Sequence, residues 1–359
     1  MSVSGVSSDD NANVILEKLV LGSNLEETES KAIIKKIMVG ELNSALTAAI
    51  LVALKIKGES VNEIAGAAKV MRSLVKTVEC SDEFQDDIVD LCGTGGDGLK
   101  TFNISTGAMF VVSGAGGKVA KHGGRAVSSS TGSADLLEGL GANINLTPPQ
   151  VLKSIEKTGI GFMFAPNYHP AMKNVAPIRK SLGTRTIFNL LGPLTNPAGA
   201  KRQLVGVYSK DLLKPIAEVL RELGSTHVLA VCGENGLDEL NVFGKTYYAE
   251  LKNGKIITGF FSPSDCGLSV EDKVDYIDFL EVSDVEGSKR KVLMGLEDSR
   301  SVEGKFIALN AGAALYVAGK SNSISEGFHQ AEETIKNGKA IQALEKYIVT
   351  TTAIGSNQK

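Results

Sequence analysis

The stretch Asp90–Leu140, DLCGTGGDGLKTFNISTGAMFVVSGAGGKVAKHGGRAVSSSTGSADLLEGL, constrains this chain more than any other. It carries three glycine clusters, with the chain's only Lys-His pair between them. Just upstream, Ile88–Cys92 reads as a short buried strand. Gly93-Thr94-Gly95-Gly96-Asp97-Gly98 then forms a loop with few side chains to clutter it. Thr101, Asn103, Ile104, Ser105 and Thr106 follow, and Ala108–Val112 begins an apolar helix. A strand, a glycine loop and a hydroxyl-rich helix start aim backbone N–H groups and a helix dipole at a phosphate. The spacing is neither GxGxxG nor GxxxxGK[ST], so neither the dinucleotide nor the P-loop label transfers. Glycine loops after strands also serve as plain turns. A plain turn has no use for Lys121-His122-Gly123-Gly124-Arg125 followed by Ser128-Ser129-Ser130-Thr131-Gly132-Ser133. A highly anionic ligand does.

Length and charge narrow the setting. At 359 residues the chain exceeds the usual size of one core, so two domains are expected. A net charge of −3 argues against a nucleic-acid partner, which favours a basic face. Cys80, Cys92, Cys232 and Cys266 are far apart in sequence, and Cys92 and Cys232 fall in apolar strand-like runs. Buried free thiols are therefore expected rather than disulfides or a zinc site. Ser2–Asn13 is polar, which does not suit a signal peptide, and no apolar run approaches the length of a membrane span. The expectation is a cytoplasmic, enzyme-sized protein.

In chain order, Asn13 to about Thr77 shows only helical periodicity, carried by Val14, Leu16, Leu19; Ile33, Ile34, Ile37; Leu46, Ile50, Leu54; and Ile64, Ala67, Val70. Asn43 and Ser60 suit N-caps. This predicts a small all-helical domain over residues 1–78, whose amphipathic helices also offer a dimer face. Glu79–Asp87 is acidic and suits a linker. Over 79–359 strands and helices alternate, predicting a larger α/β domain with a mainly parallel sheet and an antiparallel edge. Strands are expected at Gly161–Ala165, Leu204–Tyr208 and His227–Cys232, and a hairpin at Thr246–Phe261 turning at Asn253-Gly254. Helices are expected from Pro148, from Pro170, at Leu212–Leu223, Gly304–Ala318, Ile324–Lys336 and Ala340–Val349.

GTGGD at Gly93–Asp97, TFNIST at Thr101–Thr106, KHGGR at Lys121–Arg125 and GSADLLEGLG at Gly132–Gly141 resemble the anthranilate phosphoribosyltransferase family. Tyr168–Pro197 is similar to that family's acceptor-binding segment, and Gly236-Leu237-Asp238-Glu239 to its metal-binding acidic pair. The motifs keep the family's order over most of the chain. The resemblance implies a fold of the nucleoside phosphorylase and phosphoribosyltransferase kind, with part of 166–195 joining the helical domain. It implies transfer of the phosphoribosyl group of phosphoribosyl pyrophosphate to anthranilate in tryptophan biosynthesis, by a cytoplasmic, Mg2+-dependent homodimer. Such a transfer passes through an oxocarbenium-like state and asks for charge neutralisation, positioning of an amine and exclusion of water, not for a nucleophile triad.

By the same resemblance, Gly93, Gly96, Asp97, Thr101, Asn103, Ile104, Ser105 and Thr106 hold pyrophosphate and ribose. Lys121, His122, Gly123, Gly124, Arg125, Ala126, Val127, Ser128, Ser129 and Ser133 complete that cradle. Ser105, Asp238 and Glu239 hold Mg2+, a hard cation suited to carboxylate oxygens. Gly93, Gly124, His169 and Arg179 serve the acceptor, with Arg179 a bidentate clamp for its carboxylate. His122 and Arg179 are the orienting candidates. As residues alone, the Asp-Glu pair and Arg179 also fit a solvated surface, and both histidines a structural role. The resemblance departs at Gly124, where the family usually has Asn, and at Ser130, where it often has Lys. Two alternatives remain beside it: a related transferase or nucleoside phosphorylase with another aromatic acceptor, and a non-catalytic nucleic-acid-binding relative.

Overall fold

The computed structural model describes residues 8–95, 98–126, 130–268 and 279–356. The chain forms two compact units, one of Met1–Lys76 with Tyr168–Thr195 and one of Thr77–Asn167 with Asn196–Lys359. Among the described residues, no helix is long and apolar enough to cross a membrane.

The first unit is helical. Its four main helices are α1 (Ser8–Val20), α2 (Glu27–Val39), α3 (Ser44–Lys57) and α4 (Val61–Ser73). Asn43 caps α3 by accepting from Leu46 N at 2.9 Å, and Ser60 caps α4 by accepting from Glu63 N at 3.3 Å. Ile33, Ile34, Ile37, Ile50, Leu54, Ile64 and Ala67 are buried, as the periodicity predicts. Gly66 lets α4 approach α2, since a Cβ there would meet Glu27 O at 2.7 Å. The helical run expected from Pro170 divides into a 3-10 turn, Pro170–Asn174, and a helix, Ala176–Leu182.

The second unit is built on a seven-stranded sheet in the order β3-β2-β1-β4-β5-β6-β7. The strands are β1 (Ile88–Gly93), β2 (Lys118–Gly123), β3 (Ile160–Phe164), β4 (Arg202–Gly206), β5 (His227–Gly233), β6 (Thr246–Lys252) and β7 (Lys255–Phe261). The first five are parallel, and β6 and β7 add an antiparallel edge. Asn253 and Gly254 take φ of 52° and 75° in the β6–β7 turn, the left-handed conformation a two-residue hairpin needs. Helices Ile104–Gly114 and Val302–Val317 lie in the core and are buried along most of their length.

Three elements depart from the sequence reading. β2 carries the Lys-His pair, a polar dipeptide that gives no strand signal. Asp82–Asp87, expected as linker, is a short helix whose N-cap Ser81 accepts from Phe84 N and whose acidic first turn suits the helix dipole. Val285–Glu297 is a further helix. All four cysteines are free; Cys232 and Cys266 are buried, whereas Cys92 is half-buried because it lies next to the carboxyl end of β1.

Candidate active site

Sheet order fixes where a ligand can bind. Chain direction from β1 runs outward through β2 and β3 on one side, and outward from β4 on the other. The crevice beyond the carboxyl ends of β1 and β4 is therefore the switch point, the usual ligand site of an open parallel sheet. Both strands end in glycine there, and Gly93 and Gly206 are register partners.

Those two glycines make room for the acidic pair. A Cβ on Gly93 would stand 2.5 Å from Asp238 Oδ2, and one on Gly206 would stand 1.6 Å from Asp238 O. Gly95 N donates to Asp238 Oδ2 at 2.9 Å, so the glycine loop and the acidic segment meet directly. Glu239 Oε1 accepts from Ser105 N at 3.1 Å, in the first turn of helix Ile104–Gly114. Burial and the neighbouring Asp238 push the Glu239 carboxyl well above the usual carboxylate range, against the pull of Lys121 and Ser105. A half-buried carboxylate pair of this kind favours a proton or a cation beside it.

Lys121 supplies fixed positive charge. Its ammonium donates to Leu91 O on β1 and to Ser105 Oγ at 3.1 Å, although the side chain is only 2 % exposed. Alternation along β2 sends the His122 side chain to the opposite face, and its backbone N–H donates to Asp90 Oδ1 at 3.4 Å. Asp90 is buried and also accepts from Gln203 Nε2 at 3.2 Å. Burial raises its carboxyl to about 6, against the pull of Asn196, Lys121 and the His122 N–H.

The hydroxyl row forms a linked set. Asn103 Oδ1 accepts from Ser288 Oγ at 2.8 Å and from Thr131 Oγ1 at 3.3 Å, while its Nδ2 donates to Thr131 O. Thr106 Oγ1 donates to Ser133 Oγ at 3.1 Å. Thr101 pairs with Glu281 as an isolated bridge. Among the described residues, a Cβ on Gly124 would meet nothing within 4 Å. Arg125 and Ala126 turn toward Asp135: Arg125 Nη1 and Ala126 N both donate to its carboxylate at 2.9 Å. Gly96, Asp97, Val127, Ser128 and Ser129 lie outside the described residues.

The acceptor candidates outside this unit are in the helical one. Arg179, on helix Ala176–Leu182, donates to Asn189 Oδ1 at 3.3 Å and lies 6.0 Å from the Phe188 ring. Burial lowers its guanidinium from the ordinary value. His169 is 4 % exposed, and burial lowers its imidazole to about 4, which keeps it neutral near pH 7.

Sequence reasoning missed the residues that hold this arrangement. Asn310 accepts from Leu240 N at 2.9 Å and donates to Leu240 O at 3.1 Å, pinning the chain just beyond Glu239. Its signal was a lone amide in the apolar run Phe306–Val317. Asp90 and Gln203 left a similar trace, polar residues inside apolar strands. Among the described residues no cluster of three or more metal-ligating side chains occurs. The donor set is thus two carboxylates, which fits Mg2+, an ion commonly held by one or two carboxylates plus substrate phosphates.

Residues 85–341 match the family model described as glycosyl transferase family, a/b domain, and residues 13–75 its helical bundle domain. The chain is 48 % identical over 336 residues to an anthranilate phosphoribosyltransferase of Methylibium petroleiphilum, covering 94 % of this chain and 96 % of that one. It is similar to the crystal structure of anthranilate phosphoribosyltransferase from Thermus thermophilus, with a TM-score of 0.86, 40 % identity and coverage of 94 % and 99 %. The enzyme of that name from Saccharomyces cerevisiae, in complex with PRPP and Mg, aligns with a TM-score of 0.85 at 28 % identity, over 97 % and 99 % of the two chains.

Proposed function

The chain belongs to the anthranilate phosphoribosyltransferase family, and from that premise we propose that it transfers the phosphoribosyl group of phosphoribosyl pyrophosphate to the amine of anthranilate. The products are N-(5-phosphoribosyl)anthranilate and pyrophosphate, in tryptophan biosynthesis. One observation carries the reading for this chain: Gly95 bonds Asp238, and Ser105 bonds both Glu239 and Lys121, at a sheet switch point.

The roles follow from charge. Gly93 and Gly95 offer an approach free of bulky side chains, and the dipole of helix Ile104–Gly114 points its positive end at a phosphate there. Gly96, Asp97, Ser128 and Ser129 extend the cradle by family resemblance. Lys121, held by Leu91 O and Ser105 Oγ, presents positive charge to the departing pyrophosphate without reorganising. Asp238 and Glu239, with Ser105, would hold Mg2+, which when bound neutralises pyrophosphate oxygens. The attacking lone pair belongs to the acceptor amine: the C–N bond forms as the C1–O bond breaks, and the protein provides position and charge rather than a nucleophile. Arg179 clamps the acceptor carboxylate. His169, neutral near pH 7, orients the acceptor by hydrogen bonding rather than by charge.

The helical unit serves as the face of a homodimer in the cytoplasm; exposed Val14, Val20, Leu21, Val39 and Ile56 give it the apolar surface for that.

The test is loss of anthranilate fluorescence with phosphoribosyl pyrophosphate and Mg2+, with and without chelator. Loss that requires both cosubstrate and Mg2+ is expected. Binding of phosphoribosyl pyrophosphate without anthranilate loss would reassign the acceptor, and Gly124 is where another aromatic acid would differ.

A further inference from the structure

We propose that Asp135 is a positioning residue for phosphoribosyl pyrophosphate, its carboxylate holding Ala126 and Gly132 together beyond the end of β2; this rests on the phosphate-cradle reading above. Asp135 Oδ2 accepts from Ala126 N and from Gly132 N, both at 2.9 Å, so one oxygen ties these two chain positions together. Its Oδ1 accepts from Arg125 Nη1 at 2.9 Å, and the same guanidinium reaches Glu138 Oε2 at 2.5 Å. Ala134 N donates to Gly124 O at 3.1 Å, a second tie between the same stretches of backbone.

The closure leaves no space at Gly132. A Cβ there would lie 2.5 Å from Ala126 N, Arg125 C and Gly124 O, so the glycine is required by the close approach of the 124–126 backbone. Beyond the clasp, Thr131 bonds Asn103 and Ser130 Oγ donates to Val282 O at 2.5 Å. The clasp therefore sets Gly123 and Gly124, next to Lys121, relative to Asn103 and Thr106.

This changes the work assigned to two residues. Arg125 and the Ala126 N–H are engaged by Asp135 and form part of the frame around the anion site. The arrangement also answers an electrostatic objection to a carboxylate beside a pyrophosphate. Two N–H groups and Arg125 compensate Asp135, and together they hold its carboxyl below the usual range against the opposing effect of burial.

Steady-state kinetics of Asp135→Ala in the full chain tests this. The expected result is a KM for phosphoribosyl pyrophosphate raised about 10-fold or more, with kcat and the anthranilate KM within about threefold of wild type. Asp135→Asn keeps the side chain's shape and one oxygen for the two N–H groups, and is expected to raise the same KM by about threefold. A folded Ala variant with an unchanged phosphoribosyl pyrophosphate KM overturns the proposal, as does an equal rise in both KM values. If the Ala variant does not fold, an unchanged KM in the Asn variant overturns it. Wild-type protein with no saturable dependence on phosphoribosyl pyrophosphate would instead overturn the reading beneath it.

Discussion

Asp238 and Glu239 are adjacent in sequence yet differ in what holds them. Asp238 lies against Gly93 and accepts from Gly95, whereas Glu239, half-buried, accepts from Ser105 N in the helix that begins at Ile104. Replacing both carboxylates by amides, Asp238→Asn with Glu239→Gln, keeps shape and removes charge. Turnover should fall by about 100-fold or more and lose its response to added Mg2+, while the fold survives. A Mg2+ titration of kcat checks this; unchanged turnover at limiting Mg2+ would refute the metal role. Arg179→Ala should raise the anthranilate KM about 10-fold or more and leave that of phosphoribosyl pyrophosphate within about threefold. Equal changes in both would sink the clamp assignment. Lys121, Asp238 and Glu239 were singled out in the sequence through the family resemblance and through charge set in apolar or glycine-rich context. Asp135 and Asn310 were harder to read, because most of the groups they bond are backbone atoms, which carry no residue-type signal.

The parallel strands explain which elements were legible. Buried on both faces, β3, β4 and β5 read as apolar runs, and the β6–β7 hairpin announced itself by Asn253-Gly254. β2 hid because its two most informative residues, Lys121 and His122, are polar though nearly buried. Strand order was not legible, since parallel partners are chosen by crossover packing rather than by local pattern. The end of β4 provides the sharpest test at this scale. Gly206→Ala places a Cβ 1.6 Å from Asp238 O, and backbone cannot yield as a side chain can. Urea unfolding should show a loss of about 3 kcal/mol, with Mg2+ dependence disturbed as the acidic segment shifts. Gly124→Ala, with nothing within 4 Å, should leave the unfolding midpoint nearly unchanged. Equal midpoints for the two variants would contradict this account of the strand end.

Across the molecule, two buried groups give the units opposite responses to acid. His169, in the helical unit, has an imidazole lowered to about 4 from 6.5. Between those values the unfolded chain binds a proton that the native state refuses, so stability falls as pH drops from 6.5 toward 4. Asp90, in the α/β unit, has a carboxyl raised to about 6 from 3.8. There the native state keeps a proton that the unfolded chain has released, so stability rises as pH drops from 6 toward 3.8. From pH 7 to pH 5 the helical unit should lose about 2 kcal/mol from His169, and the α/β unit should gain about 1 kcal/mol from Asp90. Calorimetry at the two pH values should show the transitions separating, with the helical one moving down. His169→Gln should abolish the downward shift, and a single transition with no change in shape would contradict the assignment. The division into two units was legible from the change of periodicity near residue 78. The return of Tyr168–Thr195 to the helical unit was legible only through the family resemblance, since that segment's short apolar pieces do not say which core they enter. That return has a consequence for synthesis. During translation α1–α4 emerge first but lack the segment that completes their unit until residues 77–167 have followed. At about 5–20 residues per second this is a wait of roughly 5–18 s, in which β1, β2 and β3 leave the ribosome before β4 can join them. The nascent chain must therefore keep two unfinished cores apart at once, and the same segment that supplies Arg179 ends the wait for the first.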